Sequence, residues 1–346
     1  MRSAVPLALL ALFLLAPAAR PQGSPLKGRF EPVLAEIDVT LHRVVLFPSG
    51  RIHACGVDGM FVSSADGKEW EDVQIAEGVS LRAMAFPDEN RGIVAGRTRT
   101  GNVLYATRDG GKTFEKLESD LPEFIADFAF RDARTGWVVG GSDRSKDGFW
   151  RFTTDGGRTW NQRDSVAFGI PARKLNAITG FGEQLLVAVG GQVELNLVGP
   201  SARSLLYQKR RGGVLRSEDA GLSWEVQDAG NPEGSELQDV EFVDAKNGWV
   251  VGDGGFAART TDGGATWKKL DTGTTHRLLA VDALSADTAF IAGEQGTILS
   301  TNNAGERFAP LATGTERDIR DIAMKDERTG CAVGQGGTIL RFVREW

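Results

Sequence analysis

The chain has 346 residues, of which 41% are hydrophobic and 25% charged, and these proportions exclude wholesale disorder. A net charge of −6 argues against general nucleic-acid binding, and two cysteines with three histidines argue against a disulfide scaffold or a metal centre. Forty-four glycines without a collagen period indicate many tight turns and therefore many short strands. We expect an acidic all-β protein that needs no metal or cofactor.

The first 18 residues have the features of a secretory signal peptide. An apolar run follows Arg2, and Ala16-Pro17-Ala18 supplies the small residues of a cleavage site. The run is about half the roughly 20 residues that a membrane span requires, and no cysteine follows it to form a lipobox. We predict a signal peptide over 1–18, a linker over 19–29, and a periplasmic or secreted protein that does not span a membrane.

One motif, Ser/Thr-x-Asp-x-Gly-x-Thr-Trp, recurs about every 44 residues along the chain. It reads TTDGGRTW at Thr153–Trp160 and TTDGGATW at Thr260–Trp267, with looser copies elsewhere. Its Asp can accept backbone N–H bonds, its Gly can adopt a positive φ, and its aromatic side chain can pack on a neighbouring layer. Repetition favours a structural turn over a single metal or sugar site. We assign this structural role to Asp109, Asp155, Asp219, Asp262, Trp160, Trp224 and Trp267.

The order of segments within each repeat predicts four short antiparallel strands, with the Asp motif between the third and the fourth. Seven units can be counted, with first strands near residues 41, 81, 125, 175, 237, 278 and 319. The last unit has only three strands, and residues 30–36 resemble the missing fourth. We predict a seven-bladed β-propeller over 30–346, closed by an N-terminal strand, with an insertion at about 190–213 in blade 4. An open solenoid is the alternative.

The Asp motifs resemble the BNR or Asp-box repeats of sialidase-type propellers. Their combination with GWVVG at 248–252 resembles the photosystem II stability and assembly factor family, over about Phe30 to Val343. The resemblance implies an exported scaffold whose partner is a membrane-protein assembly intermediate. We expect a monomer without catalytic activity. It does not establish that the source organism has a photosystem.

The loops between second and third strands carry an excess of positive charge in blades 2, 3 and 4, although the chain is acidic overall. Such loops open on the face opposite the Asp motifs, and loops on a rigid scaffold commonly carry function. The photosynthetic members of the family have an arginine-rich patch, which these loops match by position alone. We interpret them as a binding site for a protein or peptide with an acidic surface. The predicted site residues are Arg97, Arg99, Arg144, Lys146, Arg203, Lys209, Arg210 and Arg211.

A carbohydrate-active hydrolase or a glycan-binding propeller is the alternative function. Sialidase chemistry is disfavoured because Tyr105 lies next to an Asp box, at the wrong end of the blade, and Tyr207 lies in the insertion with no paired motif. A two-carboxylate hydrolase would use acids such as Asp127, Asp239 and Asp321, which share one column of the first strand facing the axial channel. We expect these acids to be solvated and balanced by Arg43, Arg82 and Arg320. Converging carboxylates with perturbed pKa values in a deep central pocket would favour an enzyme.

The two cysteines are predicted to remain free. Cys55 and Cys331 fall in neighbouring blades, and the strand alternation points both side chains in the same rotational direction. One blade should therefore separate the sulfur atoms, which disulfide geometry does not permit. His53 is interpreted as a packed side chain rather than a metal ligand.

Overall fold

The computed structural model describes residues 26–33, 37–121, 124–141, 148–161, 172–193 and 211–344. The predicted signal peptide lies outside these residues, and so does most of the linker. No helix in these ranges is long and apolar enough to cross a membrane. The chain in these ranges consists of β-strands and short 3-10 turns, grouped into seven sheets.

Six of the sheets are antiparallel meanders of strands that follow one another along the chain, and the seventh adds an N-terminal strand to three C-terminal ones. We number the strands in chain order. Blade 1 contains β2 (Leu41–Leu46), β3 (Ile52–Gly56), β4 (Met60–Ser64) and β5 (Glu71–Gln74). Blade 2 contains β6 (Ser80–Ala85), β7 (Gly92–Arg97), β8 (Asn102–Thr107) and β9 (Glu115–Leu117). Blade 3 contains β10 (Ile125–Phe130), β11 (Gly136–Gly140) and β12 (Phe149–Thr153).

The remaining blades follow the same order. Blade 4 contains β13 (Ala172–Phe181), β14 (Leu185–Val193), β15 (Arg211–Ser217) and β16 (Glu225–Gln227). Blade 5 contains β17 (Leu237–Phe242), β18 (Gly248–Gly252), β19 (Ala257–Thr260) and β20 (Lys268–Leu270). Blade 6 contains β21 (Leu278–Ala283), β22 (Ala289–Gly293), β23 (Ile298–Thr301) and β24 (Ala309–Pro310). Blade 7 contains β25 (Ile319–Asp326), β26 (Thr329–Gly334), β27 (Ile339–Arg344) and β1 (Gly28–Pro32). The 3-10 turns are Val57–Gly59, Asp253–Gly255 and Gln335–Gly337.

The blades form a closed ring. The first strand of each blade contacts the first strand of the next, and β25 of blade 7 contacts β2 of blade 1. The predicted seven-bladed propeller is therefore confirmed, and the open solenoid is wrong. Because the strands are antiparallel, first-to-second and third-to-fourth turns lie at one end of the ring. We call this end the Asp-box face, and we call the opposite end the loop face.

The ring is closed by the N-terminal strand, as the sequence predicts. Strand β1 pairs antiparallel with β27, from Gly28 opposite Arg344 to Pro32 opposite Leu340. Phe30 is buried, and its ring lies 5.1 Å from that of Phe342. The strand begins two residues before the predicted boundary at residue 30. Residues 34–36 of the predicted strand lie outside the described residues.

Blade 3 departs from the regular pattern. In the described residues its fourth strand is reduced to one antiparallel bridge between Phe152 and Asn161. In blade 4, β13 and β14 are longer than their counterparts, and they lead toward the predicted insertion, whose residues 194–210 lie outside the described ranges.

The core lies between adjacent blades, because each sheet packs both of its faces against neighbours. The second strands of blades 1, 3, 5 and 6 are buried throughout, as in Gly248–Gly252, and those of blades 2 and 7 are buried except for one exposed end residue. Cys55 packs with Val79 and Leu81 toward blade 2, whereas Cys331 packs with Leu41 and Val44 of blade 1. The sheet of blade 1 therefore separates the two thiols, and both are free and buried, as predicted.

Candidate functional site

The Asp boxes are hydrogen-bonded turns on the Asp-box face. In blade 3 the hydroxyl of Thr153 donates to Asp155 Oδ1 at 2.8 Å, and the amide and hydroxyl of Thr159 donate to the same carboxylate at 3.0 and 2.6 Å. Gly157 donates its N–H to Thr153 Oγ1 at 2.9 Å with a φ of +85°. Asp109, Asp219 and Asp262 make the same bonds.

The aromatic residues that end the boxes pack between blades. Trp160 is buried against Phe128 with ring centroids 5.7 Å apart, and it belongs to a cluster that also contains Ile93 of blade 2. Trp224 contacts Trp150 at 5.8 Å, and Trp267 contacts Phe242 at 6.1 Å. These contacts, with the saturated carboxylates, fit the structural role that we predicted for the boxes. The described residues contain no cluster of His, Cys, Asp and Glu suited to a metal ion.

One half-buried arginine and five carboxyl groups of the described residues face the axial channel, and we call these six residues the axial cluster. A cavity of about 380 Å³ is lined by all six of them. Four of the carboxylates each accept a backbone N–H from the next blade around the ring, and so they link adjacent blades beside the axis. The donors and acceptors are Ile178 to Asp127 at 3.0 Å, Val281 to Asp239 at 2.8 Å, Val44 to Asp321 at 2.8 Å, and Met324 to Asp282. The cluster consists of Arg43, Asp127, Asp239, Glu241, Asp282 and Asp321.

The carboxyl groups of the axial cluster resist ionisation. Burial is the main cause, and it raises the pKa of Asp239 and Asp282 to about 7 and that of Asp321 to about 6. The pKa of Glu241 is also raised, first by burial and then by the charge of Asp282. Our expectation of a solvated, charge-balanced lining was therefore wrong in one respect: the acids are desolvated and bonded to backbone.

Arg43 is the cation that faces these acids. Its Nη2 lies 3.5 Å from Asp127 Oδ1 and donates to the carbonyl of Ala126 at 3.3 Å. Burial acts to lower the pKa of Arg43, but the charges of Asp127 and then Asp321 outweigh it and hold that pKa above its usual value. Arg82 and Arg320 do not pair with these acids within the described residues.

Arg82 and Arg320 instead lie at the mouth of the channel on the loop face, near the start of their first strands. Reduced solvation lowers the pKa of Arg82, and the charges of Arg320 and Arg97 lower it further. Burial, followed by the charge of Arg82, lowers the pKa of His42 beside them to about 4. Arg320 also pairs with Asp318 at 3.0 Å. The mouth therefore has a positive rim, made by Arg82, Arg97 and Arg320.

The predicted basic loops are described only in part. Arg97 ends β7 exposed, with its guanidinium carbon 5.7 Å from the centroid of Phe124, and Arg99 is exposed in the following loop. For Arg211, at the start of β15, the backbone alone is described. The other predicted residues lie outside the described ranges: Arg144, Lys146, Arg203, Lys209 and Arg210.

Sequence reasoning missed Glu241 and Asp282. They lie two residues further along the first strand than the column of Asp127, Asp239 and Asp321. Because alternate residues of a strand face the same side, this second column also faces the channel. The two-residue spacing along the first strands could therefore have identified Glu241 and Asp282 from the sequence.

The fold and its turns define an Asp-box β-propeller, and comparisons with known proteins point to one group of these. A family model described as "Photosynthesis system II assembly factor YCF48" matches residues 216–317. The "Photosystem II assembly lipoprotein Ycf48" of Synechococcus sp. (strain CC9902) is 26% identical over 231 residues, which span 64% of this chain and 58% of that protein. The resemblance to the photosystem II assembly factor family is thereby confirmed.

Solved structures show the same fold at low identity. The structure described as "YCF48 bound to D1 peptide" aligns over 94% of this chain and 99% of its own, with a TM-score of 0.69 and 17% identity. A GH74 xyloglucanase from Xanthomonas campestris aligns over 90% of this chain and 53% of its own, with a TM-score of 0.65 and 15% identity. Similarity at this level of identity shows the fold alone, so a function must be argued from the site.

Proposed function

We propose that this propeller is an exported, non-catalytic binding protein that holds an acidic protein or peptide on its loop face. The positive rim of Arg82, Arg97 and Arg320 is the observation that carries the proposal. The pKa of Arg82 is lowered first by burial and then by the charges of Arg320 and Arg97, and an acidic partner would offset that repulsion. The rim adjoins blade 2, whose loop also carries the exposed Arg99.

The kind of partner is supported by the relatives. A YCF48 structure contains a D1 peptide, and the curated relative is named an assembly protein. We extend this to the present chain: its partner is a peptide segment of a membrane-protein assembly intermediate, and the predicted basic loops of blades 3 and 4 complete the surface. The guanidinium fork suits carboxylates of such a segment.

The test measures binding of a fluorescently labelled D1 peptide and of a labelled oligoglutamate peptide by anisotropy. Reversal of Arg203, Arg210 and Arg211 to Glu should weaken binding at least about tenfold, because repulsion replaces attraction. Binding by the wild type should also weaken as salt rises, since exposed charges are screened beyond about 8 Å at physiological ionic strength.

A matched control reverses three cations on the Asp-box face, Arg307, Lys325 and Arg328, to Glu. This control has the same net charge as the loop variant and should bind like the wild type. If neither peptide binds the wild type, or if both triple variants lose affinity equally, the loop face is not the binding surface.

A hydrolase remains a second candidate, because one observation favours it. The axial cavity holds carboxyl groups with pKa values raised to about 7, as a general acid requires. Glu241 and Asp282 are the pair to test, as Glu241→Gln and Asp282→Asn, with reducing-end assays on β-glucans and xyloglucan. Against this candidate, the described residues that line the cavity include no aromatic side chain on which a sugar could stack. Turnover that either variant abolishes would establish the enzyme and overturn the non-catalytic assignment.

A further inference from the structure

A pocket between blades 2 and 3 on the Asp-box face is lined by four arginines. It has a volume of about 250 Å³ and lies on the opposite end of the ring from the proposed partner site. Two arginines come from first-to-second turns, Arg91 of blade 2 and Arg134 of blade 3. The other two, Arg108 and Arg158, follow the third strands of the same blades. Four positive side chains around one pocket are unexpected in a chain with a net charge of −6.

The nearby acids do little to neutralise these arginines. Arg91 lies 4.0 Å from Asp88 and Arg108 lies 3.9 Å from Glu115, both as long, exposed pairs of the kind that contribute little. Arg134 donates to the carbonyl of Thr154 at 3.4 Å. Arg158 is exposed and has no ion-pair partner among the described residues.

Asp155 also lines the pocket, but its carboxylate is already bonded within the turn. It accepts the hydroxyls of Thr153 and Thr159 and the amides of Arg158 and Thr159, at distances from 2.6 to 3.0 Å. These bonds saturate its main acceptor positions and hold it in the Asp box. It is therefore a fixed part of the turn, and the guanidinium groups remain available to a ligand.

The arginines are not required by the fold. The junction of blades 5 and 6 serves as a comparison. Its four equivalent residues are found by counting along the sequence from the ends of the corresponding strands. Arg91 directly precedes its second strand, as Asn247 does, and Arg158 lies three residues after the Asp-box acceptor, as Glu306 does. The equivalents of Arg91, Arg108, Arg134 and Arg158 are Asn247, Thr261, Asp287 and Glu306. These four positions contain no cation and two acids, and yet the blades pack in the same way.

We propose that the pocket binds the phosphate group of a small, soluble organic phosphate ester. A phosphate monoester carries up to two negative charges and several acceptor oxygens, which suit several planar guanidinium forks at once. The lining also includes Pro87, Ile93 and Phe130, which would contact an apolar portion of the ester. This site is independent of the partner surface, because it lies on the other face of the ring.

The experiment is calorimetric titration of the full chain with phenyl phosphate at constant ionic strength. Three comparison ligands separate the features of phenyl phosphate. Inorganic phosphate has the phosphate without the ring, benzoate has a ring with a carboxylate charge, and phenol has the ring without an anionic group. Phenyl phosphate should bind to one saturable site, more tightly than inorganic phosphate or benzoate, and phenol should not bind. The double variant Arg134→Gln/Arg158→Gln should raise the dissociation constant at least about tenfold, since charge-assisted bonds are lost.

The control variant Arg307→Gln/Arg328→Gln removes two arginines from equivalent turns of blades 6 and 7 and should bind like the wild type. The single variant Arg158→Gln keeps the test valid if loss of the Arg134 bond to Thr154 disturbs the turn. Absence of saturable binding to the wild type, equal losses in both double variants, or benzoate binding as tightly as phenyl phosphate would each overturn the proposal.

Discussion

Replacing Asp321 by Asn should change the pH dependence of stability in a direction opposite to that of most carboxylates. Asp321 is buried where blade 7 meets blade 1, and it accepts the amides of Val44 at 2.8 Å and Ile322 at 3.0 Å. Its pKa is raised from 3.8 to about 6, so the folded state binds a proton that the unfolded chain releases. The contribution of this group to stability is therefore highest below pH 4 and is lost as the pH rises through 6.

The size of the stability change follows from the pH range over which the folded and unfolded states differ in the protonation of Asp321. Between pH 4.5 and pH 8 the wild type should lose about 2 kcal/mol through Asp321, at about 1.4 kcal/mol for each pH unit below its folded-state pKa. Asn has no such dependence, although its amide can accept only one of the two N–H groups well. The variant should be less stable than the wild type at pH 4.5, and the difference should shrink by about 2 kcal/mol at pH 8.

The assay is urea unfolding followed by tryptophan fluorescence at both pH values. Asp262→Asn is the control, because hydrogen bonds from Thr266 and Thr260 lower the pKa of Asp262 against the opposing effect of partial burial, so that it stays ionised across the window. Its destabilisation should be the same at pH 4.5 and pH 8. A destabilisation by Asp321→Asn that grows toward pH 8 would show that Arg43 stabilises an ionised Asp321, and the reasoning from burial would be refuted.

Three further changes test the fold. Deleting residues 26–33 should cost several kcal/mol in urea unfolding, because the edge of β27 loses both its ladder and the packing of Phe30; an unchanged midpoint would contradict the closure. Asp155→Ala should lower stability by about 1–3 kcal/mol and leave peptide affinity of the folded fraction unchanged, and a folded variant without affinity would assign the box a binding role. His53→Phe should stabilise the protein by about 1 kcal/mol at neutral pH, because the buried ring nitrogens of His53 have no hydrogen-bond partner among the described residues and the ring packs against phenylalanines. Burial lowers the pKa of His53 to about 4, so the wild type should also lose stability between pH 6.5 and 4 in a way that the variant does not.

The fold could be predicted from the sequence because each blade repeats the same local chemistry. The Asp box specifies a turn by bonds within a few residues of one another, and its aromatic side chain specifies the neighbouring layer. Strand β1 could be placed because the count of strands was one short in blade 7 and Phe30 offered a match. Blade 3 was harder, because in the described residues its fourth strand is a single bridge, which no residue pattern indicates.

The chemistry of the axis could not be predicted from spacing alone. The sequence placed Asp127, Asp239 and Asp321 on the channel, but their protonation depends on burial and on amides donated by another blade. The arginine pocket is assembled from turns of two blades. Arg108 and Arg158 occupy variable positions of two Asp boxes, and Arg91 and Arg134 lie in other turns, so no single motif shows that the four meet. Contacts between blades depend on how closely and at what angle adjacent sheets pack, and a single sequence does not specify this packing.

The pairing of β1 with β27 joins residues at opposite ends of the folded chain, Gly28 and Arg344. A chain is synthesised from its N-terminus, so Phe30 emerges before the other strands of the propeller and cannot pair until β27 has been made. During that time two strand edges are open, and blades 1 to 6 can form without the ring being fixed in circumference. Closure is therefore a single, late event that commits all seven blades together. A chain that lacks β1 or β27 would retain most of its contacts, but its ring would stay open and expose an unpaired strand edge that could pair with another chain.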